Sequence, residues 1–216
     1  MHATLHAPPN AGLPAAAAIN HQYWQRCQDT HVANAGYYQR VRAVLPLLCE
    51  LHLAPQHRVL DVGCGNGEYS AVLARHCAWV DGIDLAPALI EQAQALQLPN
   101  AAFAARGVDT LVDLPDGGYD AIFVMGVFAT LHGDLFEATV AQAQRLLRPG
   151  GVLVTRDSVT AGPELMRRVN EGYHARYRNA DRYAEVFASN ALFMQRAVYL
   201  ESFTGIDNYF FVFRRT

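Results

Sequence analysis

Between Val59 and Ser70 the chain reads Val59-Leu60-Asp61-Val62-Gly63-Cys64-Gly65-Asn66-Gly67-Glu68-Tyr69-Ser70: an apolar run, a carboxylate, alternate glycines, then a helical pattern. That order predicts a strand, a tight turn and a helix. Glycine suits the turn because it tolerates positive φ and has no Cβ to keep a ligand from the backbone. The helix beginning near Asn66 to Tyr69 would aim unpaired N–H groups and its positive dipole end at the same cleft, which suits a carboxylate or polar ligand. Downstream, Ala78 to Pro87 reads as a second strand ending at Asp84, with Pro87 opening the next helix. Asp84 lies seventeen residues past Gly67, an interval at which a strand-end acid can accept hydrogen bonds from ribose hydroxyls. The alternative is that it caps the helix that follows, but the glycine turn at the right distance favours the ribose role. A dinucleotide fingerprint needs its third glycine where Glu68 stands, so the spacing disfavours NAD.

Asp61, Gly63, Gly65 and Gly67 together resemble the D-x-G-x-G-x-G motif of the class I, Rossmann-like S-adenosylmethionine-dependent methyltransferases, small-molecule type. The resemblance extends to a strand opening at Tyr119-Asp120, to the turn Leu147-Arg148-Pro149-Gly150-Gly151, and to a closing strand over Asn208 to Arg214. It is good over residues 57 to 157 and weaker in the tail. What it implies is S-adenosylmethionine as cofactor, with S-adenosylhomocysteine as product. Gly63, Gly65 and Gly67 would admit the methionine part, Asp61 would help orient its amino group, Asp84 would take the ribose and Leu85 would lie against adenine. The family often has an acid near the adenine amino group, and in Arg106-Gly107-Val108-Asp109 that position holds Val108, with Asp109 one later. A backbone group or a one-residue shift would serve. Met125 and Gly126 would border the sulfonium.

The same comparison narrows the acceptor by exclusion. Val124-Met125-Gly126-Val127-Phe128 lacks the N-P-P-Y grip on planar amines, the paired glutamates of arginine methyltransferases and the carboxylate that catechol-type enzymes need for magnesium, so no metal is expected. His132 matches a histidine frequent in small-molecule members; it could accept a proton as neutral imidazole or merely anchor its loop. Asp157, ending the fifth strand, could pair with a substrate amine, assist proton removal, or cap a helix. Tyr23, Trp24, Tyr37 and Tyr38 are candidates for a lid, since an aromatic face attracts a cation. Tyr173, Arg176 and Tyr177 either shape a substrate pocket or form a solvated face.

The elements needed to position these groups can be read from periodicity. Asn20 to Leu53 is helical in two pieces broken near Ala35-Gly36, with Tyr37, Val41, Val44, Leu45, Leu48 and Leu51 as a buried stripe. Strands over 57–62, 78–83, 100–105, 119–125 and 151–156 alternate with helices over 67–76, 87–96 and 134–147. Such alternation predicts an α/β fold: a doubly wound, mostly parallel sheet, seven-stranded with an antiparallel C-terminal hairpin strand, helices on both faces. Right-handed crossovers then place the cleft at the strands' carboxyl ends. Residues 1–19 read as a disordered tail and 20–216 as one domain, with 20–53 a helical lid and 158–195 a helical insertion on the substrate side.

The chain has 216 residues, 51% of them apolar, which suits a single core. A net charge of −3 offers no general attraction to nucleic acid or anionic membrane. Cys27, Cys49, Cys64 and Cys77 show no C-x-x-C pairing and fit a reducing cytoplasm. No segment has the roughly 18 uninterrupted apolar residues of a membrane span. The expectation is a cytoplasmic methyltransferase, monomer or homodimer, acting on oxygen or nitrogen of a small metabolite, in secondary metabolism or on a glycan precursor. Other readings are a cofactor-binding regulatory protein without turnover, an RNA methyltransferase using the basic 173–182 segment, and an NAD-dependent oxidoreductase.

Overall fold

The structure, a computed structural model, describes residues 13–29, 35–169 and 172–216. Two helices, α1 (Leu13–Gln25) and α2 (Ala35–His52), precede β1 (Arg58–Val62), α3 (Glu68–Leu73), β2 (Trp79–Asp84), α4 (Pro87–Ala95) and β3 (Ala101–Ala105). A 3-10 turn over Val108–Asp113 leads to β4 (Tyr119–Met125), and a shorter one over Phe128–Thr130 to α5 (Leu135–Leu146) and β5 (Leu147–Thr160). The chain closes with β6 (Leu165–Val169), β7 (Tyr173–Asn179), α6 (Ala180–Ser189), β8 (Leu192–Phe203) and β9 (Ile206–Arg215). Strands β3-β2-β1-β4-β5 are parallel in that order, and β9 and β8 continue the sheet antiparallel beyond β5.

The parallel strands carry apolar side chains on both faces. One face packs Val59, Ala121, Phe123, Val152 and Val154 against Val41, Leu45 and Leu48 of α2 and Leu73 of α3. The other packs Leu60, Ile122, Val124 and Leu153 against Phe136 and Val140 of α5 and Tyr183 and Phe187 of α6. Period-two alternation sorts each strand's residues between the two layers. The α2 stripe is buried at Val41, Leu45 and Leu48, but Leu51 is 61% exposed because it sits in the last turn, beyond the sheet's edge of cover.

Three expectations need correction. Among the described residues the sheet has nine strands, because residues expected as helices in the 158–195 insertion form the antiparallel hairpin β6–β7, and α6 is the only described helix there. β5 outruns β4: Met125 pairs with Arg156, and past that point Val159 and Thr160 pair with Arg178 and Asn179 of β7 while Val159 also pairs with Asp207 of β9. The unsatisfied edge of β5 thus recruits a strand where charged periodicity suggested a surface helix. Residues 13–19, expected as part of a disordered tail, belong to α1, in which Asn20 is buried; residues 1–12 lie outside the described ones.

Aromatic packing secures the insertion to the sheet. The Phe187 ring stacks on Phe213 with centroids 4.2 Å apart, and Phe128, Phe136 and Tyr183 surround it. Phe187→Ala is expected to cost about 3–5 kcal/mol of stability, as large-to-small changes at fully buried aromatics do. Urea unfolding checks this: a lower midpoint at unchanged slope is expected, and an unshifted midpoint contradicts the packing role.

Candidate active site

The carboxyl ends of β1, β2, β4 and β5 open into a cavity of about 520 Å³. At its β1 end Gly63 and Gly65 have φ of +73° and +55°, and a Cβ on Gly63 would collide with the Val127 side chain. The turn therefore needs glycine to let β1 and the loop after β4 close on each other. The N–H groups of Gly63 and Cys64 donate to the Ile83 carbonyl, that of Gly65 to Asp84 Oδ2 at 2.9 Å, and that of Gly67 to the Cys64 carbonyl. With these donors occupied internally, the turn offers a close backbone surface rather than the free N–H cradle expected from the helix start. Gly67 (φ +80°) does not line the cavity; it N-caps α3, and a Cβ there would press on Ala93 and Leu96 of α4. Its glycine is a packing requirement between helices.

Asp84 closes the β2 end of the wall. Its Oδ2 accepts from Gly65 and its Oδ1 from the Ala86 N–H at 2.9 Å, leaving each oxygen further acceptor capacity toward the cavity. Burial pushes its pKa up, opposed by those two N–H bonds. It is thus both a brace for the glycine turn and an acceptor on the wall. Leu85, Gly107, Val108 and Asp109 line the same end, with Leu85 against Gly107 and the Asp109 carboxylate folded back over Gly107. Asp61 lies beneath the turn, 1% exposed and outside the cavity lining; Ser70 donates to its Oδ2 at 2.6 Å, while Oδ1 has no partner. Burial raises its pKa to about 6.

The loop after β4 carries Met125, Gly126, Thr130 and His132 into the wall. The hairpin holds that loop in place. Arg178 of β7, itself buried, donates from Nη1 to the Phe128 carbonyl and from Nη2 to the Leu131 carbonyl, both at 2.7 Å, with its guanidinium 3.7 Å over the Phe136 ring. Asn20 of α1 spends its whole amide on the same junction: Nδ2 donates to the Thr130 and His174 carbonyls, and Oδ1 accepts from the His174 N–H. The His174 carbonyl also receives His132 Nε2 at 3.0 Å. Because a carbonyl can only accept, Nε2 carries the proton and Nδ1 keeps a lone pair. Nδ1 is buried without a partner, and desolvation holds the imidazole below its ordinary pKa, in the neutral form.

Other expected residues fall differently. Tyr173 lines the cavity, stacked against Trp24 at 4.8 Å and Tyr23 at 5.2 Å, and Trp24 and Tyr38 line it too. Tyr23 stands behind them against Gly172, and Tyr37 packs on Arg156 without lining the cavity. Arg176 is ion-paired to Glu164 at 2.6 Å, and Tyr177 faces Leu165 across the hairpin; neither lines the wall. Asp157 is the clearest correction. Period two sends it to the α5–α6 face, where Tyr183 donates to its Oδ2 at 2.6 Å and Thr155 bonds the same phenol at 2.9 Å. Its neighbour Arg156 is the residue that reaches the cavity. The alternation Val152, Val154, Arg156 against Leu153, Thr155, Asp157 carries that signal in the chain.

Among the described residues no cluster of three or more His, Cys, Asp or Glu could hold a metal, and the four cysteines are buried free thiols. Residues 59–151 match a family model described as a methyltransferase domain. Over that segment the chain matches a methyltransferase domain, in line with the fold of class I, Rossmann-like methyltransferases. It is 36% identical over 102 residues to a ubiquinone biosynthesis O-methyltransferase of Xanthomonas campestris pv. campestris, covering 46% of this chain and 42% of that one. It is 31% identical over 159 residues to the enzyme of that name from Albidiferax ferrireducens, covering 70% and 59%. The chain thus spans about two fifths of the length of the first curated relatives it matches. In fold it is similar to a 1,6-didemethyltoxoflavin N1-methyltransferase of Burkholderia thailandensis, solved with its substrate and S-adenosylhomocysteine: TM-score 0.76, 20% identity, 99% of this chain and 94% of that one covered.

The fold thus keeps Asp157 away from the cavity, and its buried carboxyl has a pKa raised to about 6 by desolvation, against the opposing Tyr183 hydrogen bond. A carboxylate pKa raised on folding means that stability is lost as pH rises through the folded value. Asn cannot ionise and can still accept from Tyr183. Asp157→Asn should therefore gain about 1 kcal/mol relative to wild type between pH 5 and pH 7.5. Thermal melts at the two pH values check this, and a gain that shrinks with rising pH contradicts it.

Proposed function

We propose that this protein transfers a methyl group from S-adenosylmethionine to an oxygen or nitrogen of a small metabolite, with a hydroxyl the acceptor that best suits its base. The observation carrying this is one cavity whose wall includes the glycine turn, Asp84 and His132, a neutral histidine whose Nδ1 is buried without a hydrogen-bond partner. The residues present fit the cofactor: Asp84 retains acceptor capacity for ribose hydroxyls, Leu85 and Gly107 offer an apolar and a side-chain-free surface for adenine, and the Gly63–Gly65 turn allows close approach to the methionine part. Bound there, S-adenosylmethionine supplies a methyl group already activated on a sulfonium.

The protein's own contribution is then placement, exclusion of water and custody of one proton. Met125 and Gly126 stand where the loop after β4 meets the glycine turn. Trp24, Tyr38 and Tyr173 roof the cavity with aromatic surface. His132 Nδ1 accepts the proton of the acceptor hydroxyl as the new bond forms, and Nε2 stays anchored to the His174 carbonyl throughout. The names of the curated relatives, O-methyltransferases of ubiquinone biosynthesis, support oxygen as the acceptor atom.

Calorimetric titration with S-adenosylhomocysteine should give saturable binding that weakens about tenfold or more in Asp84→Ala, since charged-acceptor hydrogen bonds are lost. Absence of any binding to the wild-type protein rejects the reading. In a screen for labelled-methyl transfer to phenols and amines, His132→Gln should lower turnover by roughly 10²–10⁴ with S-adenosylhomocysteine affinity unchanged. The wild-type rate should hold to below the ordinary histidine pKa of about 6.5 and fall only as the imidazole becomes protonated. Undiminished turnover in the variant leaves His132 a loop anchor.

A further inference from the structure

Three arginines reach the cavity wall. Arg42 is paired with Glu68 at 2.5 Å and Arg106 with Asp113 at 2.9 Å. Arg156 has no such partner: among the described residues no carboxylate lies within ion-pair distance of it. Arg156 is more than nine-tenths buried; its Nη2 donates to the Met125 carbonyl at 3.1 Å, and the Tyr38 hydroxyl also interacts with the guanidinium. Nε and Nη1 are buried with no hydrogen-bond partner. Holding such a cation out of water costs several kcal/mol unless something compensates.

The compensation present is incomplete and shaped for a ligand. The rings of Tyr37, Tyr38 and Tyr69 surround the guanidinium carbon at 5.6, 5.4 and 5.8 Å, a cage of quadrupoles that tolerates the charge without neutralising it. Gly126, at φ +81°, leaves the space in which the fork lies, since a Cβ there would collide with Nη2. The Nη1–H and the second Nη2–H share one edge of the guanidinium plane and match the two oxygens of a carboxylate.

Its place in the sheet separates the acceptor from the donor. Asp84 stands at the end of β2, and β5 is three strands away, about 14 Å at the usual strand spacing. β5 is also the strand to which β7, and through it His132, is joined. We propose that Arg156 receives a carboxylate of the methyl acceptor, so that the substrate is a small carboxylic acid whose hydroxyl or amine lies toward His132. This rests on the methyltransferase reading and adds to it the charge class of the substrate. An acid bound in this way presents its reacting group at a set distance from the carboxylate, so Arg156 orients the acceptor as well as selecting it.

The test is a thermal-shift and calorimetric comparison on the protein saturated with S-adenosylhomocysteine, using benzoate, 4-hydroxybenzoate and phenylacetate against their primary amides. At least one acid should bind roughly tenfold or more tightly than its amide. That advantage should vanish in Arg156→Gln and survive in part in Arg156→Lys, which keeps the charge but not the fork. Equal binding of acids and amides by the wild-type protein overturns the proposal, as does an acid preference that persists in Arg156→Gln. Loss of S-adenosylhomocysteine affinity in Arg156→Gln, with the acid preference intact, also overturns it and gives Arg156 to the donor's own carboxylate. Should Arg156→Gln fail to fold, the wild-type acid-to-amide comparison and Arg156→Lys still decide. Failure of S-adenosylhomocysteine to bind at all counts against the methyltransferase reading itself and is seen before any acid is added.

Discussion

The geometry of the candidate site depends on one buried cation. Arg178 bridges the Phe128 and Leu131 carbonyls at the end of the short 3-10 turn, where the Phe128 carbonyl also accepts from the Leu131 N–H. Burial lowers its pKa to about 10, with the charge of Arg176 adding to the effect, yet the guanidinium remains protonated at neutral pH. Resting on the Phe136 face, it joins β7 to the loop after β4. Through that joint the His174 carbonyl meets both His132 and Asn20, so the base, the hairpin and the first helix share one hydrogen-bond network.

That network gives the lid an unexpected mechanical meaning. A helix that covers an active site by aromatic contact alone could slide. Here α1 is held at Asn20 by three hydrogen bonds, and its Tyr23 and Trp24 rings pack on Tyr173 of the same strand that anchors the catalytic loop. Movement of α1 is therefore tied to the backbone that sets the histidine tautomer. The cover that α1 gives the cavity and the hydrogen bond that orients His132 thus share one joint.

Charge is distributed along the cavity with the same economy. Asp84 and Asp109 lie at the β2–β3 end, and Arg156 at the β5 end, each arriving by the rule that parallel strands deliver their carboxyl termini to a common edge. The paired Arg42–Glu68 and Arg106–Asp113 contribute little net field. The two ends of the cavity thus carry opposite sign.

Much of this was legible in the chain. Alternating strand and helix patterns placed β1 to β5, and the glycine spacing with Asp84 marked the cofactor end, because these signals are local: a turn that needs positive φ or a strand that ends in an acid is written in neighbouring residues. Gly67 shows the limit, its requirement coming from α4 rather than from a ligand. Asp157 and Arg156 show another, since which of two adjacent polar residues faces the cleft depends on the register of β5 against β4 and β9. The hairpin β6–β7 was hidden because its strands are stabilised by the unpaired end of β5, not by their own periodicity. The chain alone determined the α/β fold and marked the glycine turn, Asp84 and His132 as candidates. Only the tertiary structure decided which nitrogen of His132 is free, that Asn20 and Arg178 hold it, and that Arg156 stands uncompensated in the wall, because each of these rests on a contact between residues distant in sequence.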